Sequence, residues 1–306
     1  MQGTVRIPAA KNSVLPLIAA SLLCTKPVRL RGVPRLSDVE ACLALVRSTG
    51  EKAGWQGSDV WVSGIPFCST LPGQTAEQMR ASILFCAPLL ARLGRAETSL
   101  PGGCKIGARP VDLHLAGLAK MGAQEHPAGP GRLLLTAPSG LHGAEITLGF
   151  PSVGATETLL LAAACAKGRT VLRGAAREPE IGDLAAFLNR CGGCVEGAGT
   201  STFRIAGRRT LGGCVFSPLP DRIFASTLAC ACAAAGGRVE LAGCPASLYA
   251  PVLEILAQMG CAVDADGDTV RLARFGRLYG AGRVFTGVYP GLATDAAPLL
   301  AAAMLC

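Results

Sequence analysis

Aromatic side chains are scarce in this sequence: Phe, Trp and Tyr make up 5% of its 306 residues, and both tryptophans, Trp55 and Trp61, fall in one short stretch. Modules that bind nucleic acid by stacking bases depend on aromatic faces, so no nucleic-acid partner is expected. Charge is thin as well, at 16%. A disordered chain needs the opposite balance, low hydrophobicity with high charge, and half of these residues are apolar. No apolar run reaches the roughly 20 residues that span a bilayer, so membrane insertion is not expected. Of the three histidines, His126 and His142 lie in divergent loops without metal-ligand spacing, and no metal site is expected. Lys/Arg runs are missing too. The net charge of +8 is spread along the chain as single arginines, a distribution that serves solubility and suits a small anionic substrate at least as well as a polyanion.

Cysteine, by contrast, is plentiful, at 14 residues. Disulfide frameworks stabilise short secreted chains that lack a core, and this chain is long and apolar, so reduced thiols and a cytoplasmic location are expected. Most of the cysteines, among them Cys24, Cys86, Cys165, Cys230 and Cys232, lie inside apolar runs where a thiol acts as a small hydrophobe. The first 24 residues loosely mimic a secretion signal, but Leu23 stands where cleavage wants a small side chain. The length exceeds what one core usually supports, which points to two domains.

What the sequence does contain is an internal repeat. The stretch from Lys26 to Gly64 returns from Gly168 to Gly207 and again from Gly237 to Ala273, with a more divergent copy from about Glu97 to Ala137. Each copy reads as a short strand, a glycine-containing turn, an amphipathic helix of about a dozen residues and a second short strand. Gly50, Gly122, Gly192 and Gly260 hold equivalent places just past each helix, where a left-handed residue closes the last turn. Ahead of each copy lies an apolar segment opened by polar residues, which reads as a buried helix. Marker positions in successive openings, Asn12, Arg80, Val153, Arg222 and Asp295, are 68, 73, 69 and 73 residues apart. The fold is therefore expected to be α/β, a tandem of units of about 70 residues. The fifth unit is only begun at Cys306, so the second domain is expected to be incomplete and relatives to extend further. The spacing Cys191-Gly-Gly-Cys194 is that of metal or redox motifs, yet the other copies lack both cysteines, and coincidence is the expected reading.

The openings and one loop carry a more specific likeness. Lys11-Asn12, Met-Arg-Ala-Ser around Arg80, LPGGCKIGARPVDLH from Leu100 to His114, SVGAT from Ser152, AREPEI around Arg177, LPDRI from Leu219 and Thr294-Asp295 together resemble the UDP-N-acetylglucosamine enolpyruvyl transferases, within the EPSP synthase superfamily. The resemblance runs in order over essentially the whole chain. It implies a two-domain inside-out α/β barrel built from strand-helix-strand units, with residues 11–218 as the first domain and residues 1–10 plus 219–306 as the second, and a site in the cleft between them. It implies the substrates phosphoenolpyruvate and UDP-N-acetylglucosamine, and no cofactor; oligomeric state is not implied.

The reaction so implied adds a sugar hydroxyl to C2 of phosphoenolpyruvate while C3 takes a proton, and then expels phosphate. It needs cations for carboxylate and phosphate, a proton donor, and a base near the hydroxyl. Cys104, between Gly103 and Lys105 with Arg109 five residues on, has the positive surroundings that favour a thiolate, and the resemblance makes it the proton donor. Lys11 and Asn12 open a buried helix, which by itself is either an anion site or an ordinary helix start; the resemblance assigns them to phosphoenolpyruvate. Arg80 borders an apolar run and would need an anion if buried. The resemblance gives the segment Arg109, Pro110, Val111, Asp112, Leu113 to the nucleotide part of the substrate, and the helix start Ser152, Val153, Gly154 to its diphosphate. Phe150 stands near where relatives usually carry a lysine, which would remove one charge contact. Asp295 is either a helix cap or, by resemblance, the base for the sugar hydroxyl. Two alternatives stand beside this reading: a non-catalytic relative that binds the sugar nucleotide, and an enolpyruvylshikimate-phosphate synthase, which lacks the Gly-Gly-Cys loop.

Overall fold

The computed structural model describes residues 1–102 and 110–306. Strand β1 (Gln2–Arg6) and helix α1 (Lys11–Ser21) lead into the first copy of the repeat: β2 (Val28–Leu30), α2 (Ser37–Ser48), β3 (Lys52–Gln56) and β4 (Asp59–Ser63). The divergent copy follows a short helix α3 (Gly73–Ala76), a 3-10 turn (Arg80–Phe85) and α4 (Cys86–Leu93); it comprises β5 (Arg95–Ser99), α5 (Asp112–Lys120), β6 (Gln124–His126) and β7 (Arg132–Thr136). Strand β8 (Glu145–Thr147) and α6 (Val153–Ala164) precede β9 (Arg169–Arg173), α7 (Pro179–Arg190), β10 (Val195–Glu196) and β11 (Thr202–Ala206). The last copy follows β12 (Val215–Phe216) and α8 (Arg222–Ala235) with β13 (Gly237–Ala242), α9 (Ala250–Gln258), β14 (Ala262–Asp266) and β15 (Thr269–Arg274), and α10 (Ala297–Met304) comes after it.

Each copy thus closes with a hairpin rather than with the single strand its pattern suggests. The first strand of the copy pairs antiparallel with the second arm of that hairpin, giving the neighbours β2-β4-β3, β5-β7-β6, β9-β11-β10 and β13-β15-β14. In three of the sheets a further strand, taken from the segment ahead of a buried helix, adds in parallel to the first strand: β8 to β9, β12 to β2 and β1 to β13. In the divergent copy this place is taken by a single parallel bridge, Thr70 with Glu97. Strands β1 and β12 sit where the chain passes from one set of copies to the other. Each stays with the sheet it pairs in, so residues distant in sequence complete each other's sheets.

The expected inside-out barrel is not formed. The described residues make four separate sheets, three of four strands and one of three. A barrel requires the last strand of a sheet to pair with its first, and among the described residues no sheet's two end strands pair with each other. The α/β character and the repetition of the units stand.

The four helix-stop glycines have φ of +96° (Gly50), +94° (Gly122), +92° (Gly192) and +97° (Gly260), the left-handed conformation that costs a side-chain-bearing residue about 1–2 kcal/mol. The apolar openings become interior helices: every residue from Ser13 to Ser21 and from Ala155 to Ala164 is buried. By contacts the chain divides into two compact units, Lys11–Pro218 and Met1–Ala10 with Leu219–Cys306.

Candidate functional site

In the Lys11–Pro218 unit, helix α6 begins at a cap that the sequence builds from hydroxyls. Ser152 Oγ accepts the Ala155 N–H at 3.3 Å, satisfying one of the helix's unpaired donors. The Thr156 hydroxyl donates to the Ser152 carbonyl at 2.8 Å and accepts the Ala176 N–H at 3.0 Å. Ser152, Val153 and Gly154 remain half-buried, so the first turn faces outward at its polar end.

Against this turn lies the His114 ring. A Cβ at Gly154 would stand 3.1 Å from His114 Cε1 and 3.2 Å from Nε2, so a side chain there would require the imidazole to give by a few tenths of an ångström. One turn further along α6, Thr158 Oγ1 bonds His114 Nδ1 at 2.8 Å. Burial, reinforced by the Arg80 charge and opposed by Asp112, pushes His114 down to about 4. The ring is therefore neutral near pH 7 and acts as a fixed strut between α5 and α6. Arg80 Nη2 donates to the Pro110 carbonyl at 3.1 Å. Four of the sequence-derived pieces thus meet: Arg80, Pro110, the Asp112 end of α5, and the Ser152–Gly154 turn. Val111 is the residue preceding α5, and Leu113 lies in its first turn. Cys104 and Arg109 lie outside the described residues.

Lys11 and Asn12 form the first turn of α1, as their place in the sequence suggests. Lys11 Nζ pairs with Asp38 Oδ2 at 3.0 Å, with the two side chains 44% and 32% exposed, and Asn12 is exposed. Buried acids lie on the neighbouring helices α6 and α7. Ser13 donates a hydrogen bond to the buried Asp183 carboxylate on α7. Glu157 on α6 and Glu180 at the start of α7 are both buried. Burial, then the negative charges of Glu180 and Glu178, push Glu157 up to about 8. The sequence reading missed Asp38, Asp183 and Glu157. Only Glu157 left a signal, as a single charge within the apolar run TETLLLAAA.

In the other unit, Asp295 sits in the 3-10 turn Thr294–Ala296 ahead of α10 and is exposed. It borders a concavity also lined by Arg222, Tyr249, Tyr289, Leu292 and Leu299. The buried Tyr249 hydroxyl has no hydrogen-bond partner in the structure, and burial and Cys244 push it well above the usual phenol range. Among the described residues no group of acids, histidines and cysteines could hold a metal ion, and no helix is long and apolar enough to cross a membrane.

With this geometry in view, the chain can be set beside known proteins. Residues 1–305 match the family EPSP synthase (3-phosphoshikimate 1-carboxyvinyltransferase). A UDP-N-acetylglucosamine 1-carboxyvinyltransferase of Finegoldia magna is 45% identical over 300 residues, covering 96% of this chain and 70% of that protein. One of Gluconacetobacter diazotrophicus is 43% identical over 298 residues, with the same coverage of 96% and 70%. Among solved structures, the enolpyruvyl transferase NikO of Streptomyces tendae superposes with a TM-score of 0.84 at 24% identity, over 99% of this chain and 72% of that one. EPSP synthase of Acinetobacter baumannii gives 0.70 at 21% identity, over 98% and 69%. At these identities the two structures speak for the fold alone.

Proposed function

We infer the reaction from membership, since this chain belongs to the EPSP synthase family and, within it, to the UDP-N-acetylglucosamine enolpyruvyl transferases. It moves the enolpyruvyl group of phosphoenolpyruvate onto the 3'-hydroxyl of UDP-N-acetylglucosamine with release of phosphate, a step of peptidoglycan synthesis. The observation that carries this reading is the 45% identity over 300 residues to a relative of that name. The cytoplasm is the proposed location.

The roles of individual residues follow from what each can do chemically. The start of α6 offers the N–H groups of Val153 and Gly154 at a helix N-terminus, the Ser152 N–H being taken by the Phe150 carbonyl at 2.8 Å, a setting that favours a diphosphate. Arg80 supplies positive charge beside it, and Pro110, Val111, Asp112 and Leu113, with Arg109, contact the nucleotide. The His114 strut supports this by holding α5 against α6 without adding a charge of its own. Lys11 and Asn12 take the anionic groups of phosphoenolpyruvate. Lys11 is held ready by Asp38, and a phosphate or carboxylate arriving there takes the place of a half-buried carboxylate partner. Cys104 donates the proton to C3, and Asp295 accepts the proton of the sugar hydroxyl.

Two experiments test these assignments. Calorimetry on the purified chain should show UDP-N-acetylglucosamine binding more tightly than shikimate 3-phosphate, and Arg80→Ala should weaken the former at least tenfold. A preference for shikimate 3-phosphate would move the chain to the sister activity. Fosfomycin, an epoxide that resembles phosphoenolpyruvate, should alkylate Cys104 alone among the 14 cysteines, faster with UDP-N-acetylglucosamine present. Peptide mapping that finds no adduct, or adducts spread over several cysteines, would contradict the role given to Cys104.

A further inference from the structure

The motif Cys191-Gly-Gly-Cys194 belongs to no part of the site above, and its first cysteine is engaged elsewhere. Cys191 closes α7, and its thiol donates to the thiol of Cys214 at 3.3 Å between sulfurs, across 23 residues of sequence. Backbone hydrogen bonds fix both sides of this contact. The Gly212 N–H donates to the Cys191 carbonyl at 2.7 Å, and the Arg29 N–H donates to the Cys214 carbonyl at 2.9 Å as β12 joins β2. Phe187 of α7 and Phe216 of β12 meet edge to face with centroids 5.5 Å apart. Gly213 makes the approach possible, because a Cβ there would stand 2.1 Å from the Pro27 carbonyl oxygen. The two sulfurs are thus held near each other by the fold rather than by their own weak hydrogen bond. Cys191 is buried, whereas Cys214 is half-exposed and reachable from solvent.

We propose that Cys191 and Cys214 form an oxidant-responsive modification site, closing to a disulfide on contact with hydrogen peroxide and reopening with a dithiol reductant. The Cys214 sulfur attacks the peroxide. An S–O bond forms as the O–O bond breaks, and the departing hydroxide leaves as water with the thiol's proton. The Cys191 sulfur then attacks that of Cys214. The S–S bond forms, the S–O bond breaks, and hydroxide carries off the Cys191 proton as a second water. Two thiols lose two electrons, and one peroxide becomes two waters. Since one sulfur is already held beside the other, the second step is intramolecular and has no loop to close. The Cys191 thiol is eased by its hydrogen bond with Cys214, but the hydrogen bond with Cys24 and burial outweigh this and push it up to about 12. The hydrogen bond with Cys191 and burial raise Cys214 as well. Both thiols are therefore protonated at neutral pH, and closure should be slow there and speed up with alkalinity. The product ties the end of α7 to the segment that carries β12, enclosing the hairpin β10–β11.

The test uses the full chain, treated with hydrogen peroxide, blocked with N-ethylmaleimide and digested with trypsin without reduction. Peptides 191–204 and 210–222 should be recovered as one covalent pair. That pair should persist in Cys194→Ala and vanish in both Cys191→Ala and Cys214→Ser, and dithiothreitol should release it. Thermal unfolding of the oxidised wild-type chain should shift several degrees above the reduced form, with no such shift in Cys214→Ser. A disulfide between Cys191 and Cys194, a pair that survives in Cys191→Ala, or both thiols still alkylated after oxidation would each overturn the proposal.

Discussion

Helix α6 of the Lys11–Pro218 unit and helix α8 of the other unit occupy equivalent places in the repeat, yet they end in different surroundings. In α6 every residue from Ala155 to Ala164 is buried. In α8 only Ala225, Ser226, Ala229, Cys230, Cys232 and Ala233 are buried, and Phe224 is 40% exposed. The abundance of small apolar residues in the two runs does not account for this, since both are rich in Ala. The neighbours do. Helix α6 is surrounded by α4, α5, α7, the 3-10 turn at Arg80 and strands β9 and β11, whereas α8 packs against α9, α10 and one sheet. An apolar helix opening thus says that a face will be buried, and the number of units gathered around it decides how many faces.

The largest effect that would sharpen this comparison is a matched pair of truncations. Leu161→Ala, at a fully buried position, should cost about 3–5 kcal/mol in denaturant unfolding, and Leu228→Ala, half-buried on α8, about 1–2 kcal/mol. Equal costs would mean that the enclosure of α6 confers no extra stability.

The buried acid on α6 comes next. Glu157 is held at about 8 against an ordinary value of 4.5, so between those values the folded chain binds more protons than the unfolded one. Its contribution to stability is fully present below pH 4.5 and is lost as pH rises to 8, with a slope of at most about 1.4 kcal/mol per pH unit for one proton. His114 acts in the opposite sense. With its folded value near 4 and its ordinary value 6.5, its contribution is present above pH 6.5 and lost as pH falls to 4. Glu157→Gln should therefore flatten the decline of the unfolding midpoint above pH 6.5. An unchanged profile would show that Glu157 ionises normally.

The smallest contrast is between the caps of the same two helices. The Asp221 carboxylate accepts two N–H groups, of Ile223 and Phe224, both at 2.9 Å, whereas Ser152 accepts one at 3.3 Å. Asp221→Ala should cost about 1–2 kcal/mol and Ser152→Ala about 0.5–1 kcal/mol by chemical unfolding. A reversed order would imply that the Ser152 turn is held by more than its cap.

Much of this architecture could be read from residue pattern, because repetition turns a weak local signal into several independent ones. Four glycines at equivalent places each marked a helix end, and all four have positive φ. What escaped was whatever depends on pairing across distance. A three-residue strand such as β8, or a two-residue one such as β12, has no periodicity to detect, and its partner is set only when a buried helix folds back between the two. The hairpins closing each copy were half-seen for the same reason, and the barrel inferred by resemblance gave way to open sheets. At the site, residue type and spacing marked Arg80 and the Ser152–Gly154 turn. The His114–Thr158 strut joins residues 44 positions apart, and no local pattern announces it. Cys191-Gly-Gly-Cys194 illustrates the converse, since the local spacing drew attention to Cys194 while the close partner of Cys191 proved to be Cys214.

The most direct test of the functional account is the transfer itself. The purified chain is supplied with phosphoenolpyruvate and either UDP-N-acetylglucosamine or shikimate 3-phosphate, and released phosphate is measured together with the mass of the acceptor. Phosphate release and an enolpyruvyl adduct with the sugar nucleotide are expected, with no turnover of shikimate 3-phosphate and a loss of at least a hundredfold in rate for Cys104→Ala. Turnover with shikimate 3-phosphate alone, or sugar-nucleotide turnover undiminished in Cys104→Ala, would contradict it.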